Sequence, residues 1–334
     1  MTRWTVERVV HFEPGELVKD GFVHFGFHDR SGKHYLLEHQ KHFLGLIDTE
    51  DKLAWTVASH EVFEGVPNIR AEIQYPIYID SLPDGRLVVS NFGDGRLFLV
   101  DAAKMHAEIF VDGPSLGIRH AGNCVVDDEG CVWLNEVDGC RVWRFDPSGR
   151  PILVLGNAEP GFQANPVDFG KARFNWIYDI RRGPDSKIYV LDSKNFALRV
   201  IDLAERQVRT IAGTGGVGYS GDGGPATQAT FGSDPQAQFD GPISLSLDEV
   251  GDVFVGDRFN HVVRMIHRGS GIIETIAGKR VAEANRMNDT GESDPLKLNL
   301  PEISSMDHYG GRLFVPTDLG SDGRDLAVLR RLPG

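Results

Sequence analysis

The chain has 334 residues, of which 41% are hydrophobic and 25% charged, as is typical of globular proteins. Its formal net charge of −13 argues against a nucleic-acid partner, because binding to phosphates needs a basic surface. No apolar run approaches about 18 residues, so neither a membrane span nor a membrane partner is expected.

A recurring hairpin organises the chain. Each copy has a glycine or polar turn, a short apolar strand, a polar residue and a second apolar strand. The copies occupy residues 32–47, 85–100, 130–145, 186–201, 251–266 and 311–329. The polar residue between the strands recurs as Glu38, Asn91, Glu136, Asp192, Asp257 and Thr317. This column predicts structural acceptors for backbone N–H groups of the tight turn, in preference to a ring of metal ligands.

Another short strand precedes each hairpin, and it is often entered through a proline. These strands fall within residues 22–32, 75–85, 120–130, 174–186, 239–251 and 300–311. A fourth strand follows several hairpins, at residues 208–213 and 273–278. Six units of four antiparallel strands predict a single all-β domain over residues 1–334, a six-bladed β-propeller.

Closure of the ring can also be predicted. The last unit ends after its third strand, whereas residues 4–10, "WTVERVV", form a strand without a unit of its own. We expect this N-terminal strand to become the outer strand of the last blade, which removes an open sheet edge.

The cysteines indicate a compartment. Cys124, Cys131 and Cys140 cannot all pair within one chain, and the N-terminal residues contain neither an apolar h-region nor a cleavage site. Reduced thiols and a cytoplasmic location are therefore expected. Because Cys-x6-Cys-x8-Cys is not a usual zinc spacing, the three are interpreted as small residues packed within one sheet.

A glycine-rich segment, "GTGGVGYSGDGG", begins at residue 213. It lacks the lysine and the following helix of a phosphate-binding P-loop, and strands flank it on both sides. We interpret residues 213–234 as an inter-blade loop in which Tyr219 or Asp222 could touch a ligand.

The candidate site is the mouth of the central channel, where loops from several blades meet. Aligning the units on their entrance prolines selects imidazoles, carboxylates, amides and aromatic rings. They are His24, Tyr75, Tyr78, His120, Asn123, Asn175, Trp176, Tyr178, Asp240 and Glu302. Oxygen-rich ligands suit calcium, and a set that includes histidine suits zinc.

The stretches "VDDEGCVWLNEVDGCRVWRF", "LDSKNFALRVID" and "GDRFNHVVRMI" resemble the NHL-repeat family of propellers. The segment "IAGTGGVGYSGDGGPATQATF" is similar to the glycine-rich connection of bacterial NHL-repeat proteins. This resemblance covers nearly the whole chain and implies the propeller fold. It leaves function open, because such propellers include enzymes, sensors and binding platforms.

Units three to five also resemble the gluconolactonase and senescence-marker-protein group, whose propellers hold one divalent metal in the channel. The resemblance implies metal ligands at Asn175 in "RFNW" and Asp240 in "FDGP", with an aspartate as general base. His120 stands where that group has asparagine, and Glu302 could substitute for a first-blade glutamate that has no clear match here. A histidine set similar to that of the alpha-amidating lyases would be His24, His39 and His120.

Two functions follow from these observations. The first is a divalent-metal-dependent hydrolase (lactonase-like) or lyase that acts on a small-molecule substrate at the channel mouth. Asp240 and His120 would be catalytic, and calcium or zinc would bind Asn175, Asp240, His120, Glu302 and His24. The substrate would contact Tyr75, Tyr78, Asn123, Trp176, Tyr178 and Tyr219. The second is a non-catalytic propeller that binds a protein or a ligand on one face.

Overall fold

The computed structural model describes residues 3–12, 18–19, 22–23, 26–29, 32–38, 41–50, 52–58, 60, 63–163, 165–234, 241–280, 287, 293–318 and 324–333. The chain divides into two compact units. Unit 1 comprises Met1–His24, Ala164–Pro166 and Gly183–Gly334, and unit 2 comprises Phe25–Gln163 and Val167–Arg182.

Strands dominate the described residues, as the short apolar runs between glycine turns predict. The first fourteen are β1 (Trp4–Phe12), β2 (Val18–Lys19), β3 (Phe22–Val23), β4 (Gly26–His28), β5 (His34–Glu38), β6 (Phe43–Ile47), β7 (Leu53–Ala58), β8 (Asn68–Arg70), β9 (Pro76–Ser81), β10 (Leu87–Asn91), β11 (Arg96–Asp101), β12 (His106–Val111), β13 (Ala121–Val126) and β14 (Val132–Glu136). The others are β15 (Arg141–Phe145), β16 (Pro151–Leu155), β17 (Val167–Asp168), β18 (Ile177–Arg182), β19 (Ile188–Asp192), β20 (Ala197–Asp202), β21 (Gln207–Ala212), β22 (Ser244–Leu247), β23 (Val253–Asp257), β24 (Val262–Ile266), β25 (Ile273–Ala277), β26 (Asp307–Tyr309), β27 (Arg312–Asp318) and β28 (Arg324–Arg331).

Helical structure in the described part of the chain is limited to short 3-10 turns. They are Gly113–Leu116, Phe169–Lys171, Ser193–Asn195, Ala226–Gln228, Arg258–Asn260 and Pro295–Lys297. None of the helices in these ranges is long and apolar enough to cross a membrane.

Unit 2 contains three complete sheets in chain order, each with four antiparallel strands. The first has the order β4-β5-β6-β7-β8, in which β8 is added parallel to β7. The second runs from β9 to β12 and the third from β13 to β16. The first strand β13 lies beside both β9 and β18, so polar side chains from three blades can meet.

Unit 1 contains the sheet β22-β23-β24-β25 and the last sheet, with the order β1-β28-β27-β26. Strand β1 pairs antiparallel with β28, from Trp4 opposite Arg331 to Phe12 opposite Arg324. The predicted closing strand is therefore confirmed, and it extends two residues beyond the predicted end at Val10. Pairing of β1 covers the edge that β28 would otherwise expose.

The fourth blade is the sheet β17-β21-β20-β19-β18, which brings the number of sheets with four or more strands to six in the described residues; β2 and β3 pair separately as a two-stranded sheet. Four strands form the core of each of the six, and their order follows the chain except where β1 completes the last one. The fold is the predicted all-β, six-bladed β-propeller.

The polar column at the hairpins is buried in all six copies. Its members are Glu38, Asn91, Glu136, Asp192, Asp257 and Thr317. Asn91 Oδ1 accepts a hydrogen bond from Gln74 N at 2.7 Å, and Asp257 Oδ1 accepts one from Gly232 N at 3.0 Å. The structural interpretation is confirmed for these two. Both side chains accept from backbone N–H groups in the segment that precedes the first strand of the blade. The sequence had predicted that they would accept from N–H groups of the hairpin turn.

The three cysteines are buried and form no disulfide, and all belong to the β13–β15 region of one sheet. This confirms the interpretation of Cys124, Cys131 and Cys140 as small packed residues. Burial raises the pKa of the Cys124 and Cys131 thiols, which suppresses the reactive thiolate form.

The glycine-rich segment is built around a buried side chain from the following blade. Arg264, on β24, is fully buried and donates to Thr230 O at 3.0 Å and to Ser220 O at 2.8 Å. Its guanidinium also pairs with Asp222 at 2.6 Å. Residues 213–234 are thus a packed part of unit 1, with Phe231 in the core.

Candidate active site

A histidine and an aspartate meet at the entrance of the third blade, in unit 2. His120 directly precedes β13, and Asp138 lies in the turn between β14 and β15. The distance from His120 Nδ1 to Asp138 Oδ2 is 3.0 Å. The carboxylate favours the tautomer with the proton on Nδ1, which leaves Nε2 with its lone pair. Because the His120 side chain is 40% exposed, Nε2 can meet a substrate.

The turn that carries Asp138 is held at both ends. Val137 N donates to His120 O at 3.3 Å, and Ile177 N donates to Val137 O at 3.1 Å. Glu136 accepts two hydrogen bonds from Arg141, at 2.6 and 2.9 Å. These contacts tie the aspartate to the strand that follows His120, so the two side chains are placed by rigid elements.

One oxygen of Asp138 faces the histidine and the other is enclosed. Asp138 Oδ1 is buried and has no hydrogen-bond partner among the residues that the structure describes. A buried carboxylate oxygen without a partner is uncommon in folded proteins, and such atoms are frequent where a ligand or water is received.

A row of rings leads from the histidine to the entrance of the second blade. Phe92 stacks on His120, with ring centres 4.7 Å apart and planes 15° apart. Tyr75 follows at 5.8 Å from Phe92, and its backbone N donates to His42 Nδ1 at 3.0 Å. We call His42, Tyr75, Phe92 and His120 the aromatic row. Its flat faces suit contact with an apolar or unsaturated part of a ligand.

Two aromatic residues at blade entrances adopt left-handed backbone conformations. Tyr75, before β9, has φ of 65°, and Trp176, before β18, has φ of 54°. Non-glycine residues pay a steric penalty there and concentrate at functional sites. Trp176 is half-buried, and Tyr75 is 38% exposed.

A second polar group lies deeper, on the first strands. Asp179 Oδ1, on β18, accepts hydrogen bonds of 2.5 Å from both Asn123 Nδ2 and Arg181 Nη1. The Arg181 guanidinium lies 4.3 Å from the ring centre of Tyr78. The side chains of Asp179 and Arg181 are only 3% and 9% exposed. We call this buried group, together with Asn123 and Tyr78, the floor of the site. The more exposed residues around His120 are its rim.

The structure therefore brings several predicted residues of unit 2 into two layers. His120 and Tyr75 belong to the rim, and Tyr78 and Asn123 belong to the floor. Asn175 and Tyr178 are half-buried beside Trp176 at the start of β18. Their predicted roles in metal and substrate binding stay predictions.

Other predicted residues lie elsewhere. Glu302, in unit 1, forms an ion pair with Arg258. The Tyr219 hydroxyl shares a hydrogen bond of 2.7 Å with Thr275 Oγ1. It also donates to Asp222, which belongs, like Tyr219, to the glycine-rich segment. His24, His39 and Asp240 lie outside the described residues.

The described residues do not assemble a metal centre. Over the ranges given above, no group of three or more His, Cys, Asp or Glu side chains is arranged to hold an ion. The carboxylate of Glu302 is paired with the Arg258 guanidinium. Two other predicted ligands, His24 and Asp240, lie outside the described residues. Calcium or zinc binding stays a prediction.

Sequence reasoning missed Asp138, Phe92, Asp179 and Arg181. Asp138 precedes Gly139, and an Asp-Gly pair indicates a turn before it suggests a catalytic residue. A signal did exist for the floor: Asp179 and Arg181 occupy alternate positions of β18, so their side chains lie on the same face of the strand. Charged residues at alternate positions of an inner strand indicate a polar interior.

Comparison with known proteins supports the fold and gives limited information on family. No protein-family model matches this chain. The protein SUPPRESSOR OF QUENCHING 1, chloroplastic, of Arabidopsis thaliana is 32% identical over 150 residues, which cover 43% of this chain. The match spans only 13% of that relative's length.

Solved structures match over almost the whole chain. An auxiliary nutrient binding protein from Bacteroides ovatus aligns with a TM-score of 0.63 and 13% identity, over 99% of this chain and 78% of that one. A catalytically inactive histidine-to-alanine variant of virginiamycin B lyase from Staphylococcus aureus, solved with quinupristin, aligns with a TM-score of 0.56 and 10% identity, over 97% and 99%. At such identities the shared property is the fold.

Proposed function

We propose that this chain is a lyase for a small molecule, in which His120 is the acid–base group and Asp138 orients it. The observation that carries the proposal is the 3.0 Å approach of Asp138 Oδ2 to His120 Nδ1, on a histidine whose side chain is 40% exposed. A base held in this way by a carboxylate is a recurring catalytic arrangement.

The chemistry that this pair can perform is an elimination. His120 Nε2 takes a proton from a substrate carbon, and the C–H electron pair becomes a double bond to the neighbouring carbon. The bond from that neighbour to its leaving group breaks, and the imidazolium returns the proton to the departing atom. Asp138 stabilises the imidazolium while it exists, and the stacked Phe92 limits rotation of the ring.

Two comparisons support different parts of the proposal. The lyase from Staphylococcus aureus shares the fold, and its histidine-to-alanine variant is inactive, which is consistent with histidine chemistry on this scaffold. The nutrient binding protein from Bacteroides ovatus also shares the fold and favours the second candidate, a propeller that binds a small ligand without turnover.

A comparison of small-molecule extracts tests the proposal. An extract is incubated with the wild-type chain, with His120→Ala and with His106→Ala, a variant of an exposed histidine on β12 of the same unit. We expect one or more compounds to be consumed by the wild type and by His106→Ala, but not by His120→Ala. Equal consumption by all three would exclude His120 as the acid–base group, and no consumption by any would reject the lyase and leave the binding propeller.

The expectations on metal and compartment become separate proposals. Elemental analysis of the purified chain, with melting curves before and after chelation, tests for calcium or zinc. The absence of a disulfide among the three cysteines supports a cytoplasmic location, which cell fractionation tests.

A further inference from the structure

A cavity of about 600 Å³ with charged and polar side chains at its rim lies beside the aromatic row in unit 2. Its lining includes His42, His60, Arg70, Glu72 and Gln74, over a buried Ile73. The volume falls within the range of small-molecule sites, and an apolar base with a few polar groups is their usual composition.

The charged side chains in this cavity are not engaged with one another. Over the residues that the structure describes, neither Arg70 nor Glu72 forms an ion pair, although they are separated by a single residue and both line the cavity. In the same unit, Arg141 is paired with Glu136 and Arg144 with Asp127. Two opposite charges that face one space without pairing leave both available to a ligand.

The backbone that presents these groups is fixed. Ala71 N donates to Ala58 O at 3.4 Å, and Ile73 N donates to Ala71 O at 2.9 Å. Gln74 N donates to the buried Asn91 side chain at 2.7 Å. The backbone of the lining is therefore pre-organised, which lowers the part of the entropy cost of binding that comes from ordering the chain.

His42 adds a donor of defined direction. Its Nδ1 accepts the Tyr75 N–H at 3.0 Å, so the imidazole carries its proton on Nε2. Arg70, the His42 Nε2–H and the Gln74 amide are donors that suit a carboxylate. Glu72 would repel a simple anion and instead suits a cation.

We propose that this cavity binds a small zwitterion, a molecule that carries a carboxylate and an ammonium group, as free amino acids do. Arg70 and His42 hold the carboxylate, and Glu72 holds the ammonium group. Binding does not require His120, so this proposal and the lyase proposal can fail independently.

Calorimetric titration of the full chain tests the proposal. The probes are the common L-amino acids, and the best of them is compared with its N-acetyl derivative, which lacks the cation, and with the matching amine, which lacks the carboxylate. We expect at least one amino acid to bind at millimolar or lower concentration and each derivative to bind about tenfold or more weakly, because each loses a hydrogen bond between charged groups. Absence of binding by every amino acid, or equal binding of the N-acetyl derivative, would overturn the proposal.

Variants locate the binding. Arg70→Ala and Glu72→Gln should each weaken binding by about tenfold or more. His120→Ala should bind as the wild type does, because it lies outside the cavity lining. Lys52→Ala is the matched control, since Lys52 is an exposed residue of the same unit and pairs only with Glu50 among the described residues. Loss of binding in Lys52→Ala, or retention in both Arg70→Ala and Glu72→Gln, would contradict the assigned site.

Discussion

The Arg181 guanidinium carbon lies 4.3 Å from the ring centre of Tyr78, and the same guanidinium donates to Asp179 at 2.5 Å. One side chain thus connects the first strands of the second and fourth blades. We expect Arg181→Met to lower the free energy of unfolding by about 3–5 kcal/mol, because Asp179 is left as a buried charge. Chemical denaturation measures the change.

A neighbouring arginine provides the control for this experiment. Arg182 pairs with Asp128, whose side chain is 54% exposed. Arg182→Met should cost about 1 kcal/mol or less, since exposed ion pairs are weak. Equal losses in the two variants would show that Arg181 does not hold the floor. Adding Asp179→Asn to Arg181→Met should restore part of the stability.

The closing strand β1 contributes stability through its buried side chains. Phe12 is fully buried against the core that contains Leu326 and Val328. Phe12→Ala should reduce the free energy of unfolding by about 3–5 kcal/mol. Glu7→Ala, on the same strand, removes an exposed ion pair with Arg312 and should cost about 1 kcal/mol or less. A Phe12→Ala variant as stable as Glu7→Ala would mean that β1 is not part of the cooperative fold.

His308 predicts how stability depends on pH. Burial lowers its pKa, against the opposing effect of Glu249 and Asp248, and Phe254 stacks on its ring. Because the unfolded chain binds a proton at a higher pH than the folded chain, stability is lost as the pH falls below about 6.5. Urea unfolding at pH 7.5 and 5.5 should show a larger loss for the wild type than for His308→Asn.

The comparison with His308→Asn is necessary because protonation of the neighbouring Asp248 changes the stability in the opposite direction. Burial raises the pKa of Asp248, so the folded state takes up that proton first and gains stability as the solution becomes acidic. Identical pH dependence in the wild type and His308→Asn would exclude His308 as the source of the acid sensitivity.

The cysteine thiols should not react with a thiol reagent in the native protein. Cys124, Cys131 and Cys140 are buried, and burial raises the pKa of the first two. Ellman's reagent should therefore detect no thiol in the folded chain and all three after unfolding. A thiol that reacts at once without denaturant would contradict the packing of this sheet.

The repeated hairpins and the closing strand could be predicted from sequence, because both depend on local patterns. Apolar strands between glycine turns recur along the chain. Only the last blade lacked an outer strand, so residues 4–10 could be assigned to it. The site is harder, because His120 and Asp138 come from different strands and Asn123, Asp179 and Tyr78 come from three blades. Strand register decides which side chains meet, and a single sequence does not reveal it.

The glycine-rich segment illustrates the same limit. Its composition indicates an open loop, and nothing within residues 213–234 reveals the partner that organises it. That partner is Arg264, which comes from the next blade and is held by Ser220, Asp222 and Thr230. Only the folded chain places a buried guanidinium beside those acceptors.

The claim that His120 and Asp138 perform chemistry is tested most directly by kinetics on a compound that the wild type consumes. His120→Ala should lower kcat by about 10²–10⁴-fold, the usual contribution of a general acid–base group, with KM changed by less than about threefold. Asp138→Asn should lower kcat in the same direction. Unchanged kcat in His120→Ala would contradict the account, and a change confined to KM would make His120 a binding residue.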